Sequence, residues 1–172
     1  HNAMYGCTLG ILKLLLEGYP GGCYETTASG CTPLHLAVQM GPSMTSEMVT
    51  LLFEKGPDAV NIRDARGNLP IHLLAQNQNP NVSIFKMVMD ANPEGVAQKN
   101  NEEFIPLMVA AKAGNSEVAK LLMDVAPETL EKADPWTGMT ALHYACISET
   151  PSLEMIDCLL SRWPQAAKIE AD

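Results

Sequence analysis

The sequence repeats itself at an interval of about 36 residues, and this constrains the fold more than any other feature. Four segments align: Gly30-Cys31-Thr32-Pro33-Leu34-His35-Leu36-Ala37, Gly67-Asn68-Leu69-Pro70-Ile71-His72-Leu73-Leu74, Glu103-Phe104-Ile105-Pro106-Leu107-Met108-Val109-Ala110 and Gly138-Met139-Thr140-Ala141-Leu142-His143-Tyr144-Ala145. Their starts lie 37, 36 and 35 residues apart. A second series runs between them. Leu14-Leu15-Leu16, Leu51-Leu52-Phe53, Met87-Val88-Met89, Leu121-Leu122-Met123 and Cys158-Leu159-Leu160 each sit just before a proline: Pro20, Pro57, Pro93, Pro127 and Pro164. From proline to the next motif the distance is 10, 10, 10 and 11 residues. Two registers that agree leave little room for coincidence.

Each unit reads as a helix pair. Pro33, Pro70 and Pro106 suit a first helical position, where the missing N–H costs nothing. Thr32 and Thr140 stand where an N-cap hydroxyl would meet the first free amides. Small residues such as Ala37, Ala110 and Ala145 allow a close neighbour. A Gly- or Pro-containing loop follows (Gly41-Pro42, Pro80, Gly114, Pro151), then a second helix with apolar residues at helical spacing, as in Val118, Leu121, Leu122 and Val125. The proline ends that helix. The next ten residues, as in Asn61-Ile62-Arg63-Asp64-Ala65-Arg66-Gly67, predict a polar extended finger with a tight turn, where Gly67 and its equivalents supply positive φ.

Thr32-Pro33-Leu34-His35-Leu36-Ala37 closely resembles the ankyrin signature, and Thr140-Ala141-Leu142-His143-Tyr144-Ala145 does so with one change. Gly67, Pro70 and His72 match in the second unit, and residues 108–118 keep the family's interval in the third. The resemblance covers about residues 8–172. It implies an all-α solenoid of stacked helix–turn–helix units with protruding β-hairpin-like fingers. The chain then forms a single repeat domain over residues 1–172: a partial first repeat at 1–29 (second helix only), then repeats at 30–66, 67–102, 103–137 and 138–172. In the family, the signature Thr and His bond to each other and to backbone. Here the third unit has Ile105 and Met108, an apolar pair that loses both partners together and so leaves neither unsatisfied. Leu69 leaves His72 dependent on backbone or water. Glu103 replaces the turn glycine and leaves the third turn open to a different type.

Composition narrows the function. Aromatic residues are 5% of a chain that is 47% hydrophobic, so aliphatic side chains and methionine must fill the core. Met48, Met87, Met89, Met123 and Met155 fall at core positions of the second helices. Net charge is −9, mostly in residues 87–172, which carry 6 basic and 14 acidic side chains. That disfavours nucleic acid and anionic lipid. It favours a partner protein with a basic surface, unless the acidic face serves only solubility. No apolar run reaches 18 residues, so no direct membrane insertion is expected. Cys7, Cys23, Cys31, Cys146 and Cys158 are odd in number and match no metal spacing, which points to reduced thiols in an intracellular, cytoplasmic setting. Asn81-Val82-Ser83 fits a glycosylation sequon that arises readily by chance.

No catalytic constellation appears, and no cofactor or metal is expected. His35, His72 and His143 hold one repeat position, so a stack spaces them apart and they cannot converge on one ion; His1 is terminal. The expectation is a protein–protein interaction module, a scaffold or adaptor subunit and not an enzyme. The alternative is a regulatory ankyrin segment of a larger enzyme or transport protein. In the family, partners dock on finger tips and on the inner face of the first helix. Carried over, the resemblance implies Ala28, Ser29, Cys31, Val38 and Gln39; Ala65, Arg66, Asn68, Gln76 and Asn77; Asn101, Glu102, Phe104, Ala111 and Lys112; and Trp136, Thr137, Met139, Cys146 and Ile147. Trp136 and Phe104 are large rings in turn-rich segments, either interface anchors or covers over a neighbouring finger. Ile11 and Leu15 near one end, and Leu159 and Trp163 near the other, lead to the expectation that more chain or a partner covers at least one end, within a larger assembly.

Overall fold

The computed structural model describes residues 9–40, 45–149 and 151–165. Gly41-Pro42, Cys7 and His1, singled out above, lie outside them, as does the end of the last repeat, residues 166–172. Among the described residues are nine α-helices: α1 (Leu9–Gly18), α2 (Pro33–Gln39), α3 (Ser46–Lys55), α4 (Pro70–Gln76), α5 (Val82–Ala91), α6 (Pro106–Ala113), α7 (Ser116–Val125), α8 (Ala141–Cys146) and α9 (Leu153–Arg162). The short helices α2, α4, α6 and α8 pack in a row, each on the next, and each also packs on the longer helix that follows it. One continuous core runs through the stack, from Leu12 and Leu16 in α1 to Met155 and Leu159 in α9. The fold is the helical repeat solenoid that the sequence predicts.

Local chemistry sets the helix starts. Pro33, Pro70 and Pro106 occupy first positions as expected. Each longer helix from α3 on is capped by a side chain: Thr45, Asn81, Asn115 and Ser152 accept from the amides of Met48, Ile84, Val118 and Met155. Asn81, the sequon residue, is thereby occupied as a cap.

The segment after each proline differs from expectation. Four of the prolines open a five-residue 3-10 turn: Pro20–Tyr24, Pro57–Asn61, Pro93–Ala97 and Pro127–Glu131. These turns bury Cys23, Ala59, Val60, Val96, Thr129 and Leu130. Only the second half of the ten-residue segment is finger. The residue before each proline takes the same extended φ, from −135° at Ala126 to −148° at Gly56, because the pyrrolidine ring excludes the helical region there.

Each finger ends in a tight backbone turn. Asp64 N–H donates to Asn68 O and Gly67 N–H to Asp64 O, each at 2.9 Å, and the same pair of bonds recurs at Thr27 and Asn100. Among the described residues the fingers form no strand, only one isolated bridge between Ala133 and Thr140. Gly30, Gly67 and Gly138 have φ of 72°, 75° and 68°, and Glu103 has 65°. The third turn is therefore of the same type, with glutamate forced into the left-handed region that its neighbours leave to glycine.

At the ends, Ile11, Leu14 and Leu15 are exposed on α1, whereas Leu159 is buried and Trp163 half-buried. The expectation of exposed apolar surface at Leu159 is corrected: its side chain is part of the core, packed on the neighbouring helices.

Candidate functional site

Two of the signature histidines, His35 and His72, bridge successive units, while His143 bonds to Thr140 within its own. The Thr32 amide donates to His35 Nδ1 at 3.2 Å, so the ring proton sits on Nε2, which donates to Asn68 O at 3.1 Å in the next unit. His72 does the same without a hydroxyl. Its Nδ1 accepts from the Leu69 amide at 3.2 Å, and its Nε2 donates to Gln98 O at 3.0 Å and Phe104 O at 3.2 Å. Backbone supplies what the missing threonine cannot. Burial pushes the His72 imidazole down to about 4 and also lowers His35, more than their carbonyl partners raise them.

Each finger is tied by one side chain at its base. Thr27 Oγ1 accepts from the amides of Ser29 and Cys31. Asp64 Oδ1 accepts from Arg66 and Asn68, and Asn100 Oδ1 from Glu102 and Phe104. Asp134 accepts from the amides of Trp136 and Thr137, from the Thr137 hydroxyl, and from Tyr144 OH at 2.7 Å. Burial alone would raise the Asp134 carboxyl; these donors hold it well below the usual carboxylate range. Tyr144 is pushed up to about 12 by burial and by its bond to Asp134. The signal for these residues was present but unread: Thr27, Asp64, Asn100 and Asp134 are turn-forming types that recur three or four residues before the turn position.

Beneath the fingers, along the row of short helices, lies a concave recess of about 620 Å3. Its lining includes Arg66, Gln76, Glu102, Phe104, Lys112, Ile147 and Glu149. Phe104 packs on Tyr144, with centroids 4.8 Å apart and planes tilted by 60°, and Lys112 Nζ stands 5.2 Å over the Phe104 ring. A cation over an aromatic face is attracted by the ring quadrupole. Phe104 is thus half-buried against its neighbour rather than projecting.

The residues carried over from the resemblance divide into two groups. Arg66, Gln76, Asn101, Glu102, Lys112, Trp136, Ala28, Ser29, Gln39, Ala65, Cys146 and Ile147 are exposed; Asn77, Phe104, Thr137 and Met139 are half-buried. Asn68 is only 8% exposed, because the chain turns inward immediately after Gly67. Its amide nitrogen donates to Asp64 Oδ2 at 3.1 Å, and its oxygen accepts from Asn100 at 2.8 Å. Asn68 is a seam between units, not a tip residue. Cys31, Val38 and Ala111 are buried as well, Cys31 within its own finger and Val38 and Ala111 in the core. Gln78, Val109 and Glu149 are among the lining residues that were not anticipated. Gln78 and Glu149 lie in the interhelical loops, where repeat length varies and positions do not carry over.

Helix-pair units, hydrogen-bonded finger turns and a concave recess define a repeat solenoid of the kind that presents a continuous surface to other molecules. The chain belongs to the ankyrin-repeat family: the model described as ankyrin repeats (3 copies) matches residues 1–98 and 71–171. Repeats of this family are generally protein–protein interaction modules. Relatives include ankyrin repeat domain-containing protein 63 of Mus musculus, 34% identical over 71% of this chain and 31% of that protein. B-cell lymphoma 3 protein of Homo sapiens is 28% identical over 77% of this chain and 29% of its own length. NF-kappa-B inhibitor cactus of Drosophila yakuba is 25% identical over 76% and 27%. The chain thus spans roughly a third of the length of these relatives. Among the described residues no helix is long and apolar enough to cross a membrane.

Proposed function

We propose that this chain is a scaffold or adaptor module that holds a partner protein in the recess beneath its second to fourth fingers. One observation carries the reading. Arg66, Gln76, Glu102 and Lys112 converge from three successive units on a single hollow, yet all four are exposed. Conserving the fold does not require them there. The exposed Ile147 adds apolar area at the same wall. Mixed charge with a half-buried aromatic floor suits a folded protein surface better than a phosphate backbone, which the net charge of −9 would repel. That excess of acid favours a basic partner face. The name of one relative, an NF-kappa-B inhibitor, fits a module that acts by holding another protein. An intracellular, cytoplasmic setting accords with four free cysteines among the described residues.

Affinity purification from the native cell, identification of the co-purifying protein and crosslinking of the pair test this reading. Crosslinks from Lys112 and Glu102 to the partner are expected. A partner crosslinked only away from the recess lining, the Trp136 finger included, would overturn the recess as the binding surface. A second reading, a regulatory segment of a longer enzyme or transport protein, draws on the extent of the relatives beyond the matched region. The full gene sequence separates the two.

A further inference from the structure

The fingers are stitched to one another until the third, and there the stitching stops. Ala65 N–H donates to Ser29 O and Asn101 N–H to Arg66 O, each at 2.9 Å, so the first three fingers share backbone bonds. The equivalent position in the fourth finger, one residue after the tying Asp134, is Pro135, which has no N–H to donate. The Trp136 amide, like those of Arg66 and Glu102, turns inward to its own tie and donates to Asp134 Oδ1 at 2.9 Å. Arg63 clamps the second finger to the third through Gly67 O, Lys99 O and Gln98 Oε1. Lys99 holds Arg63's position in the third unit but bonds to Glu103 in its own finger at 2.8 Å.

The turn positions work in the same direction. A Cβ on Gly30 would meet the next finger's backbone at 2.7 Å, and one on Gly67 would meet Asn101 at 2.3 Å. Only a residue without a Cβ permits that approach. Glu103 has a Cβ, so the fourth finger cannot nest against it in the same way. Among the described residues, nothing lies within 4 Å of a Cβ on Gly138. This finger also carries one more residue: Gly138 N–H reaches back four residues to Asp134 O, where the other turns span three. The added length sits at Pro135-Trp136-Thr137.

We propose that the fourth finger is a docking element anchored independently of the other three, presenting Trp136 to an apolar patch flanked by basic side chains on a partner protein. This rests on the reading that the chain binds a protein, but it uses a surface outside the recess. The Trp136 side chain is 80% exposed and contributes nothing to the stack. The loop that carries it is held rigid by a buried carboxylate with four donors, so little ordering cost remains at binding. Tryptophan on a preorganised loop is a favoured anchor. Its surroundings are acidic. Glu128 and Glu131 are exposed on the turn leading into the finger. Lys132 is the exposed cation of the finger itself. The net negative rim calls for a positive counterpart.

The test uses the full chain and its Trp136→Ala variant as baits for a displayed library of random peptides. Circular dichroism of the variant must keep the wild-type helical signal, as the exposure of Trp136 leads one to expect. Peptides enriched on the wild type and lost on the variant should carry large apolar residues flanked by Lys or Arg. They should bind the variant about 30-fold more weakly, the factor expected for an anchor worth about 2 kcal/mol. Glu128→Gln with Glu131→Gln should weaken the same peptides. Lys112→Ala, in the recess, should leave them unchanged. Peptides that depend on Lys112 and not on Trp136 would support the recess and overturn this proposal. Acidic peptides, equal binding to Trp136→Ala, or self-association that Trp136→Ala abolishes would also overturn it.

Discussion

A Cβ on Gly67 would lie 2.8 Å from the backbone nitrogen of Asn101 and 2.3 Å from its side-chain oxygen, so these two residues fix how closely the second and third fingers approach. Gly67→Ala must therefore both strain a backbone at φ 75° and push a neighbouring finger away. We expect a loss of about 2–3 kcal/mol by urea unfolding. Gly138→Ala, with φ 68° but none of the described residues within 4 Å of the added Cβ, should lose only about 1 kcal/mol, the conformational cost alone. Equal losses at the two sites would mean that finger packing adds nothing.

Glu103 offers the converse. It occupies a left-handed conformation with φ 65°, where a Cβ is unfavourable by about 1–2 kcal/mol. The partly exposed pair with Lys99 offsets little of this. Glu103→Gly should gain about 0.5 kcal/mol after the greater entropy of an unfolded glycine is subtracted. Glu103→Val should lose about 1 kcal/mol or more, since branching at Cβ worsens the strain. Denaturation midpoints in the order Gly, Glu, Val check this; any other order is inconsistent with the strain.

The buried His72 ties stability to pH. Its folded value of about 4 lies below the ordinary 6.5, so the folded state binds fewer protons. The stabilisation is complete above pH 6.5 and is lost as pH falls from there through 4. At its limit the loss is about 3 kcal/mol. Asp134 acts in a lower window, below the ordinary 3.8, because its carboxyl is depressed. Unfolding free energy measured between pH 7 and 4.5 should fall steadily, and NMR titration of the His72 ring should show it neutral at pH 5.5. A charged ring at that pH contradicts the prediction.

Tyr144→Phe removes one of the donors to Asp134 but keeps the ring contact with Phe104. Three donors remain, from Trp136 and from the amide and hydroxyl of Thr137. The expected loss is about 1.5 kcal/mol, as for a bond to a charged group. Hydrogen exchange should quicken at Trp136 and Thr137 while α6 stays protected. Exchange that quickens evenly along the chain would show that the fourth finger is not anchored locally.

Much of the architecture could be read from the sequence because repetition multiplies weak signals. Proline at 33, 70 and 106 and histidine at 35, 72 and 143 mean more together than any one alone. The 3-10 turns escaped because Ala59 and Val60 sit within a polar run, and burial there depends on a neighbour that the run does not reveal. Asn68 was assigned to a tip because it follows the turn glycine; only the backbone direction shows it facing Asn100. The count of eleven rather than ten residues from Pro127 to Gly138 was visible, but its meaning was not. An added residue acquires one only when the hydrogen-bond register shows that Pro135, without an N–H, stands where Ala65 and Asn101 donate to the preceding finger.

The interrupted contact beside Glu103 also has a mechanical side. Tension applied along the stack would be shared by backbone bonds and the Arg63 clamp across the first three fingers, whereas at the last junction it falls on the helices, through the Ser148 bond to Lys112 O and the Lys120–Glu154 and Asp124–Arg162 pairs, and on the Phe104–Tyr144 rings. The solenoid thus resembles a laminate whose last joint is glued along the helices and not along the finger edge. Under load that edge would part first, and the aromatic pair would open with it.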